Sequence, residues 1–294
     1  MKSGFATIVG RPNVGKSTLL NSLIKEKIAI VSNVAGTTRN TIQGIYNDND
    51  SQIVFVDTPG IHKPLDKLGK HLNKQSYESL DDNDVILFLV DAKSGLGKGD
   101  LFIVEALKRI DTPVILVLNK IDKMNNEEIM ASINEYKDIY PFSDIVPISA
   151  LKNDNTERLV NVIKKYLSDD FKYYDDDTLT NVNLRFMVSE FVREKILNLT
   201  KDEVPHNITC LTTKFEEYEN IININVDIIV SRDSIKKIII GHQGCMIKQI
   251  GLEARKDIES LLGKQVYLEL FVKTIKNWRD KEKYLQEFVS LDNF

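Results

Sequence analysis

GRPNVGKS, residues 10–17, decides the reading of the first half of the chain. A short apolar run leads into Gly10, and a helical pattern opens at Ser17. The stretch fits G-x-x-x-x-G-K-[ST] between a strand and a helix, the setting in which that pattern folds around phosphate. Gly10 and Gly15 let the backbone curl, so that successive N–H groups point inward at phosphate oxygens. The helix that follows adds the positive end of its dipole. Lys16 brings a point charge to the β- and γ-phosphates, and Ser17 offers a hydroxyl to Mg2+. Arg11, Pro12, Asn13 and Val14 lie between the two glycines and Thr18 follows Ser17, and all are candidate nucleotide contacts.

Working outward, β-rich runs at 5–10, 42–46, 53–57, 85–91, 114–119 and 145–149 alternate with helical patterns at 17–25, 70–80, 100–108, 127–136 and 156–167. Strands that alternate with helices predict βαβ units and a mostly parallel sheet, an α/β fold built around the phosphate loop. The strands are apolar almost throughout, as strands buried on both faces are. The runs at 42–46 and 53–57, joined by a polar turn, read as an antiparallel hairpin at the sheet edge.

A phosphate loop does not separate ATP from GTP, but two later strand ends do. The run at 114–118 meets Asn119-Lys120-Ile121-Asp122. A carboxylate at Asp122 accepts from both N1–H and the 2-amino group of guanine; adenine has no such donor pair, and a buried Asp122 would be left unpaired against it. Lys120 is expected to lie along the base and Asn119 to brace the loop. The next strand ends in Ser149-Ala150-Leu151, with the Ala150 N–H placed for guanine O6. An earlier strand, at 53–57, leads into Asp57-Thr58-Pro59-Gly60. Asp57 stands where a carboxylate holds Mg2+ through water, and the Gly60 N–H can bond the γ-phosphate. Between the phosphate loop and that strand, VAGTTRN at 34–40 is a polar, glycine-containing candidate switch. One threonine completes the Mg2+ shell, and Thr38 is favoured over Thr37.

GRPNVGKS, AGTTRN, DTPG, NKID and SALK, in this order, resemble the guanine-nucleotide motifs of the translation-factor-like GTPases, and within them the Era subfamily. Ile61 follows Gly60, where Ras-like switches carry a glutamine. An isoleucine cannot hold the attacking water, the pattern of hydrophobically substituted GTPases. His62 reads as an exposed loop histidine. In related GTPases an asparagine at the position of Asn13 helps bind K+ beside the phosphates, so the resemblance implies GTP and GDP, Mg2+ and tentatively K+ as ligands.

After an acidic, aperiodic linker at 169–183, whose tyrosines are expected to pack on a domain, the pattern changes. Residues 184–294 read α-β-β-α-α-β with a final helix from about 275, an α+β domain separate from the 1–168 domain. Its centre is Ile240-Gly241-His242-Gln243-Gly244, a G-x-x-G turn between helical segments. Such a turn brings backbone close to a nucleic-acid backbone with a helix N-terminus behind it. Apolar Ile238, Ile239, Ile240, Met246, Ile247, Ile250 and Leu252 are expected to form core and groove, flanked by Lys236, Lys237, Lys248, Arg255 and Lys256. The fuller run from Ile238 to Glu259 resembles the type II-like KH domain of the Era subfamily, with one departure: neutral His242 and Gln243 stand where KH loops usually carry a basic residue. Trp278 reads as a packing anchor.

The whole chain, 294 residues with net charge −4, argues at first against nucleic acid. Residues 183–294, however, hold 17 Lys and Arg against 17 Asp and Glu, and 232–256 hold six basic residues against two acidic ones. Local field decides an encounter with phosphate. No apolar run reaches the ~18 residues of a membrane span, and a turn signal comes by Gly10, too early for a signal peptide. Two cysteines, Cys210 and Cys245, build neither a disulfide framework nor a zinc site. The expectation is a cytoplasmic monomer. The resemblance implies a GTP-hydrolysing switch that binds single-stranded ribosomal RNA near the 3′ end of the small-subunit RNA, acting in 16S rRNA processing and 30S ribosomal subunit assembly. It also suggests weak peripheral association with the inner face of the cell membrane. The alternatives are a GTPase of tRNA modification, membrane transport or cell-cycle signalling, and an RNA-binding protein with nucleotide as a static ligand.

Overall fold

Five parallel strands bring their C-terminal ends to one edge of the first sheet, and that edge positions the phosphate loop. A computed structural model describes residues 1–64 and 66–289. β1 (Lys2–Val9) lies between β3 (Ser51–Asp57) and β4 (Val85–Asp91), parallel to both. β5 (Val114–Asn119) and β6 (Asp144–Pro147) extend the parallel array, and β2 (Ile42–Asn47) pairs antiparallel with β3 at the edge, for an order β2-β3-β1-β4-β5-β6. α1 (Lys16–Ile24), α2 (Lys67–Glu78), α3 (Lys98–Leu107), α4 (Asn126–Tyr136) and α5 (Thr156–Ile163) fill the intervals. Ligands of such sheets sit outside the carboxyl ends of the strands, where the loops after β1, β3, β5 and β6 meet.

The boundaries have local causes. β4 and β5 run as read, because Val85 to Val90 and Val114 to Leu118 are all buried and need the sheet on both sides. β6 stops at Pro147, short of the expected residue 149, since proline carries no N–H for the ladder. Ser149 instead bridges to Asp154. α5 ends at Ile163 rather than 167, closed by Lys164 N–H to the Val160 carbonyl.

Residues 168–181 do not hang free as a linker. Asp169 bridges antiparallel to Ser3, Thr180 to Gly44, and Ile45 N–H donates to the Leu179 carbonyl at 2.9 Å. Gln52 Oε1 accepts from the Tyr173 and Tyr174 N–H groups, and the Tyr173 ring meets Phe5 edge-on at 4.7 Å. A polar composition hid this, because pairing along a sheet edge uses backbone groups that every residue owns.

The chain divides into two compact units, the second beginning at Val182. It also takes in Ile30–Thr37 and Asp66–Leu68. Here α6 (Leu184–Leu199), β7 (Ile208–Glu217), β8 (Ile221–Val230), α7 (Asp233–Ile240), α8 (Cys245–Leu262), β9 (Gln265–Thr274) and α9 (Glu282–Val289) follow the expected order. β8 is central, antiparallel to β7 and parallel to β9. Val188, Phe191, Val192 and Ile196 of α6 pack on Ile224, Val226 and Ile228 of β8 and on Ile250, Ala254 and Ile258 of α8. The final helix starts at Glu282, later than expected, because Asn277 takes a left-handed φ of 55° and breaks it. Trp278 is fully buried beside Phe288, its ring centroid 6.2 Å away.

Candidate functional site

Asn13 and Gly15 both take left-handed backbone, φ 64° and 104°, and so turn the phosphate loop out of β1 and into α1. At Gly15 the conformation has a second reason: a Cβ there would lie 2.4 Å from Asn119 Nδ2. The Lys16 ammonium is buried and donates to the Arg11 carbonyl at 3.0 Å and the Gly10 carbonyl at 3.3 Å. Burial pulls it down to about 8, partly opposed by the charge of Asp57.

Behind the loop three oxygens converge. Ser17 Oγ donates to Asp57 Oδ2 at 2.6 Å and lies 2.9 Å from Thr38 Oγ1. Thr37 turns its hydroxyl away, to the Val34 carbonyl at 2.6 Å. Asp57 is fully buried at the end of β3 and its Oδ1 has no hydrogen-bond partner. Burial pushes this carboxyl up to about 6, against the pull of Lys16 and Ser17. Two hydroxyls and a carboxylate with one orphaned oxygen suit a hard cation that takes oxygen ligands and keeps several waters, so Mg2+ fits.

The loop after β3 is packed onto the phosphate loop. A Cβ on Gly60 would stand 2.8 Å from Pro12 N, and Ile61 N–H donates to the Gly10 carbonyl at 3.2 Å. The Ile61 side chain is buried in the core with Val9, Ile86 and Phe88. Thr58 spends its hydroxyl on the Ile8 carbonyl and Pro59 its carbonyl on Ser76, so both serve the loop's shape. His62 is half-buried rather than exposed; its Nδ1 meets the Gly60 carbonyl at 2.8 Å.

At the base-recognition end Asn119 braces two loops, donating to the Val14 carbonyl at 2.8 Å and accepting from the Ala150 N–H at 2.9 Å. That N–H, expected to meet guanine O6, donates here to the Asn119 side-chain carbonyl. Asp122 is exposed rather than buried, with Oδ1 accepting from Ser149 Oγ at 2.6 Å. Ile121 N–H holds the Ile148 carbonyl at 3.2 Å, tying this turn to the next strand end, while Leu151 is exposed beyond it. Thr18 is half-buried at the start of α1.

In the second unit, Gly241 (φ 74°), Gln243 (φ 49°) and Gly244 (φ 78°) all take positive φ and form the turn between α7 and α8. A Cβ on Gly241 would come within 2.8 Å of Met246 N and Cβ. His242, Gln243, Lys237, Lys248, Arg255 and Lys256 are exposed, and Lys236 and Ile240 half-buried. The apolar set splits: Ile239 and Ile250 are core, whereas Ile238 and Leu252 face solvent. Arg255 pairs with Glu259 at 3.3 Å, which uses part of its charge.

A family described as 50S ribosome-binding GTPase matches residues 5–120, and the KH domain family matches 203–279. The structure superposes on a single-residue variant of Aquifex aeolicus Era bound to GDP·AlF4−, with TM-score 0.95, 42% identity and coverage of 98% of this chain and 99% of that one. It matches equally well, at 42% identity, TM-score 0.95 and 98% of each chain, an Era in complex with MgGDPNP and nucleotides 1506–1542 of 16S ribosomal RNA. The chain belongs to the Era family of GTPases.

Two elements of this Era-family site escape the motifs. Asp91, the last residue of β4, pairs with Lys120 at 2.7 Å, and Lys120 also donates to the Asn13 carbonyl at 2.8 Å. Burial works to raise Asp91, but the bond and charge of Lys120 outweigh it and hold the carboxyl below its usual range. Asp100 of α3, fully buried, contacts Arg11 Nε at 2.9 Å and accepts from Gly97 N–H at 2.9 Å and Tyr136 Oη at 3.3 Å. Burial raises both the Asp100 carboxyl and the Tyr136 phenol. A buried acid at a helix start was the one signal of this brace.

Proposed function

We propose that this Era-family GTPase is a GTP-operated switch that binds the 3′ end of small-subunit ribosomal RNA through its KH domain and serves small-subunit assembly in the cytoplasm. The convergence of Ser17, Thr38 and Asp57 behind the phosphate loop carries the reading, because it joins residue 38 of the candidate switch to the phosphate loop and the end of β3. Ser17 Oγ and Thr38 Oγ1 would ligate Mg2+, with Asp57 holding its water; the proximity of Thr38 Oγ1 to Ser17 Oγ and the turn of the Thr37 hydroxyl to Val34 support Thr38 in that role. A bound ion would supply positive charge to the β- and γ-phosphate oxygens.

The residues of the chain do the rest. Lys16 and the N–H groups of residues 10–17 bind and orient the phosphates. Gly60, close-packed on Pro12, would offer its N–H to the γ-phosphate. Asp122 reads guanine, steadied by Ser149, and Lys120 is fixed by Asp91 and Asn13 along the base. With Ile61 in the core, no side chain at that position orients water. Asn13, whose side chain is exposed on a left-handed turn, is the candidate K+ contact. Hydrolysis is therefore expected to run faster in K+ than in Na+ at matched ionic strength; equal rates remove Asn13 from this role.

The RNA reading rests on the relative that holds 16S nucleotides and on the exposed basic residues around the G-x-x-G turn. It is tested by titrating a single-stranded 16S 3′-end RNA with GDP and with a non-hydrolysable GTP analogue across a salt series. The reading requires affinity that depends on the nucleotide and falls with salt. The same affinity in both states would reduce the nucleotide to a static ligand.

A further inference from the structure

The nucleotide reading uses the backbone of Arg11 and leaves its side chain unexplained. That side chain leaves the phosphate loop and lies across the turn that opens α3. A Cβ on Gly97 would stand 2.7 Å from Arg11 Nη1, and one on Gly99 2.6 Å from Arg11 Cδ, so two glycines form its seat. Nη2 donates to the Gly95 carbonyl at 3.4 Å, and Nε stands 2.9 Å from Asp100 Oδ1. The Asp100 side chain is fully buried, whereas that of Arg11 is 25% exposed. Neither Nε nor Oδ1 has a hydrogen-bond partner among the described residues, so charge and shape hold this pair rather than a directed bond. The other carboxylate oxygen accepts from the Gly97 N–H at 2.9 Å and Tyr136 Oη at 3.3 Å, which closes the first turn of α3. A buried carboxylate is costly unless an opposite charge answers it, and here Arg11 does.

The backbone of Arg11 is held from two sides. Its carbonyl accepts from the Lys16 ammonium at 3.0 Å. The residue before it, Gly10, accepts from the Ile61 N–H at 3.2 Å, and the residue after it, Pro12, is the one on which Gly60 packs. A displaced Arg11 therefore moves both the acceptor of the phosphate lysine and the surface on which the loop after β3 rests. All of these residues belong to the first unit. We propose that Asp100 is a positioning residue for the phosphate loop: the first turn of α3, through the Arg11 guanidinium, sets the Arg11 backbone and with it Lys16. This rests on the reading of residues 10–17 as the phosphate site. A misplaced ammonium costs most where negative charge develops, so the loss falls on the hydrolysis step more than on GTP binding.

The test measures kcat and KM of GTP hydrolysis, fluorescent-GDP affinity and melting temperature for the full chain. The variants are Asp100→Asn, Arg11→Met, the double Arg11→Met, Asp100→Asn, Gly99→Ala and Lys16→Ala. Asp100→Asn keeps an oxygen for Gly97 and Tyr136 but turns an amide NH2 toward Arg11. Gly99→Ala pushes on the same side chain from the other side, and alanine suits a helix better than glycine. Its melting temperature is therefore expected to hold or rise, so it answers the question even where Asp100→Asn fails to fold. Both variants are expected to lose about tenfold in kcat with KM within about twofold, well inside what misplacement of a catalytic group costs. In the Arg11→Met background, Asp100→Asn is expected to add less than about twofold, since two residues that act through one contact do not add. A wild-type kcat in Asp100→Asn, or losses that multiply in the double variant, overturn the proposal. A loss in Asp100→Asn that follows a lowered melting temperature, with Gly99→Ala at the wild-type rate, makes Asp100 a structural residue only and also overturns it. Wild-type GDP affinity in Lys16→Ala overturns instead the phosphate-site reading beneath it.

Discussion

The Lys120 ammonium stands 2.7 Å from Asp91 Oδ2 and ties the end of β4 to the turn after β5 that is proposed to read guanine. Lys120 itself takes a left-handed φ of 70°, so its side chain is aimed by strained backbone as well as by its partners. Asp91→Asn keeps the shape and removes the charge. Lys120 is about a quarter exposed, so the pair is screened. GDP affinity is expected to fall about fivefold, roughly 1 kcal/mol. Equilibrium titration with a fluorescent GDP measures it, and an unchanged constant would show that Asn13 alone positions the lysine.

Asp122→Asn exchanges an acceptor-only carboxylate for an amide that donates. Guanine loses the partner of N1–H and the 2-amino group, while xanthine, with a carbonyl at C2, gains one. The preference for GDP over XDP is expected to invert, with at least about a hundredfold change in their ratio, the scale at which sites built on hydrogen bonds discriminate. Competition with both nucleotides reads it. A preserved guanine preference would remove Asp122 from base recognition.

Asp57→Asn separates what the site costs from what it does. The wild-type carboxylate is fully buried with an unpartnered Oδ1, and burial is the largest influence on it. The amide escapes that penalty. In EDTA, without nucleotide, the variant is expected to melt ~2–4 °C higher, the shift produced by about 1 kcal/mol in a domain of this size. In Mg2+ its GTP affinity should fall below wild type. A lower melting temperature in EDTA would mean that the Asp57–Lys16 attraction outweighs desolvation.

Gly241→Ala places a methyl 2.8 Å from the Met246 backbone nitrogen, at a φ of 74°. The strain of about 1–2 kcal/mol is confined to the G-x-x-G turn. RNA affinity is expected to drop about tenfold with GDP binding unaltered. Full RNA affinity in the variant would move the RNA contact away from this turn.

The local pattern announced most of the fold because the motifs sit where the strand period ends and the helix period begins. Gly15, Lys16 and Ser17 could be read from spacing as one turn between a strand and a helix, and the structure keeps them together where α1 begins after β1. Contacts between distant segments were not legible in this way. Asp91 meets Lys120, Asp100 meets Arg11, and Ile30 joins the second core, each across a stretch of chain whose composition carries no sign of the pairing. The hydrogen bond from the Ala150 N–H to Asn119 was illegible for the same reason, since it spans 31 residues.

The strap at 168–181 bears on how the molecule can be cut. β2 is the outermost strand of the first sheet, and Leu179 and Thr180 occupy its backbone groups at Ile45 and Gly44. An unpaired strand edge is a template for another chain. A GTPase fragment that stops at 168 bares that edge and invites self-association through it, although every nucleotide motif is present. One that continues through Asn181 brings its own cover.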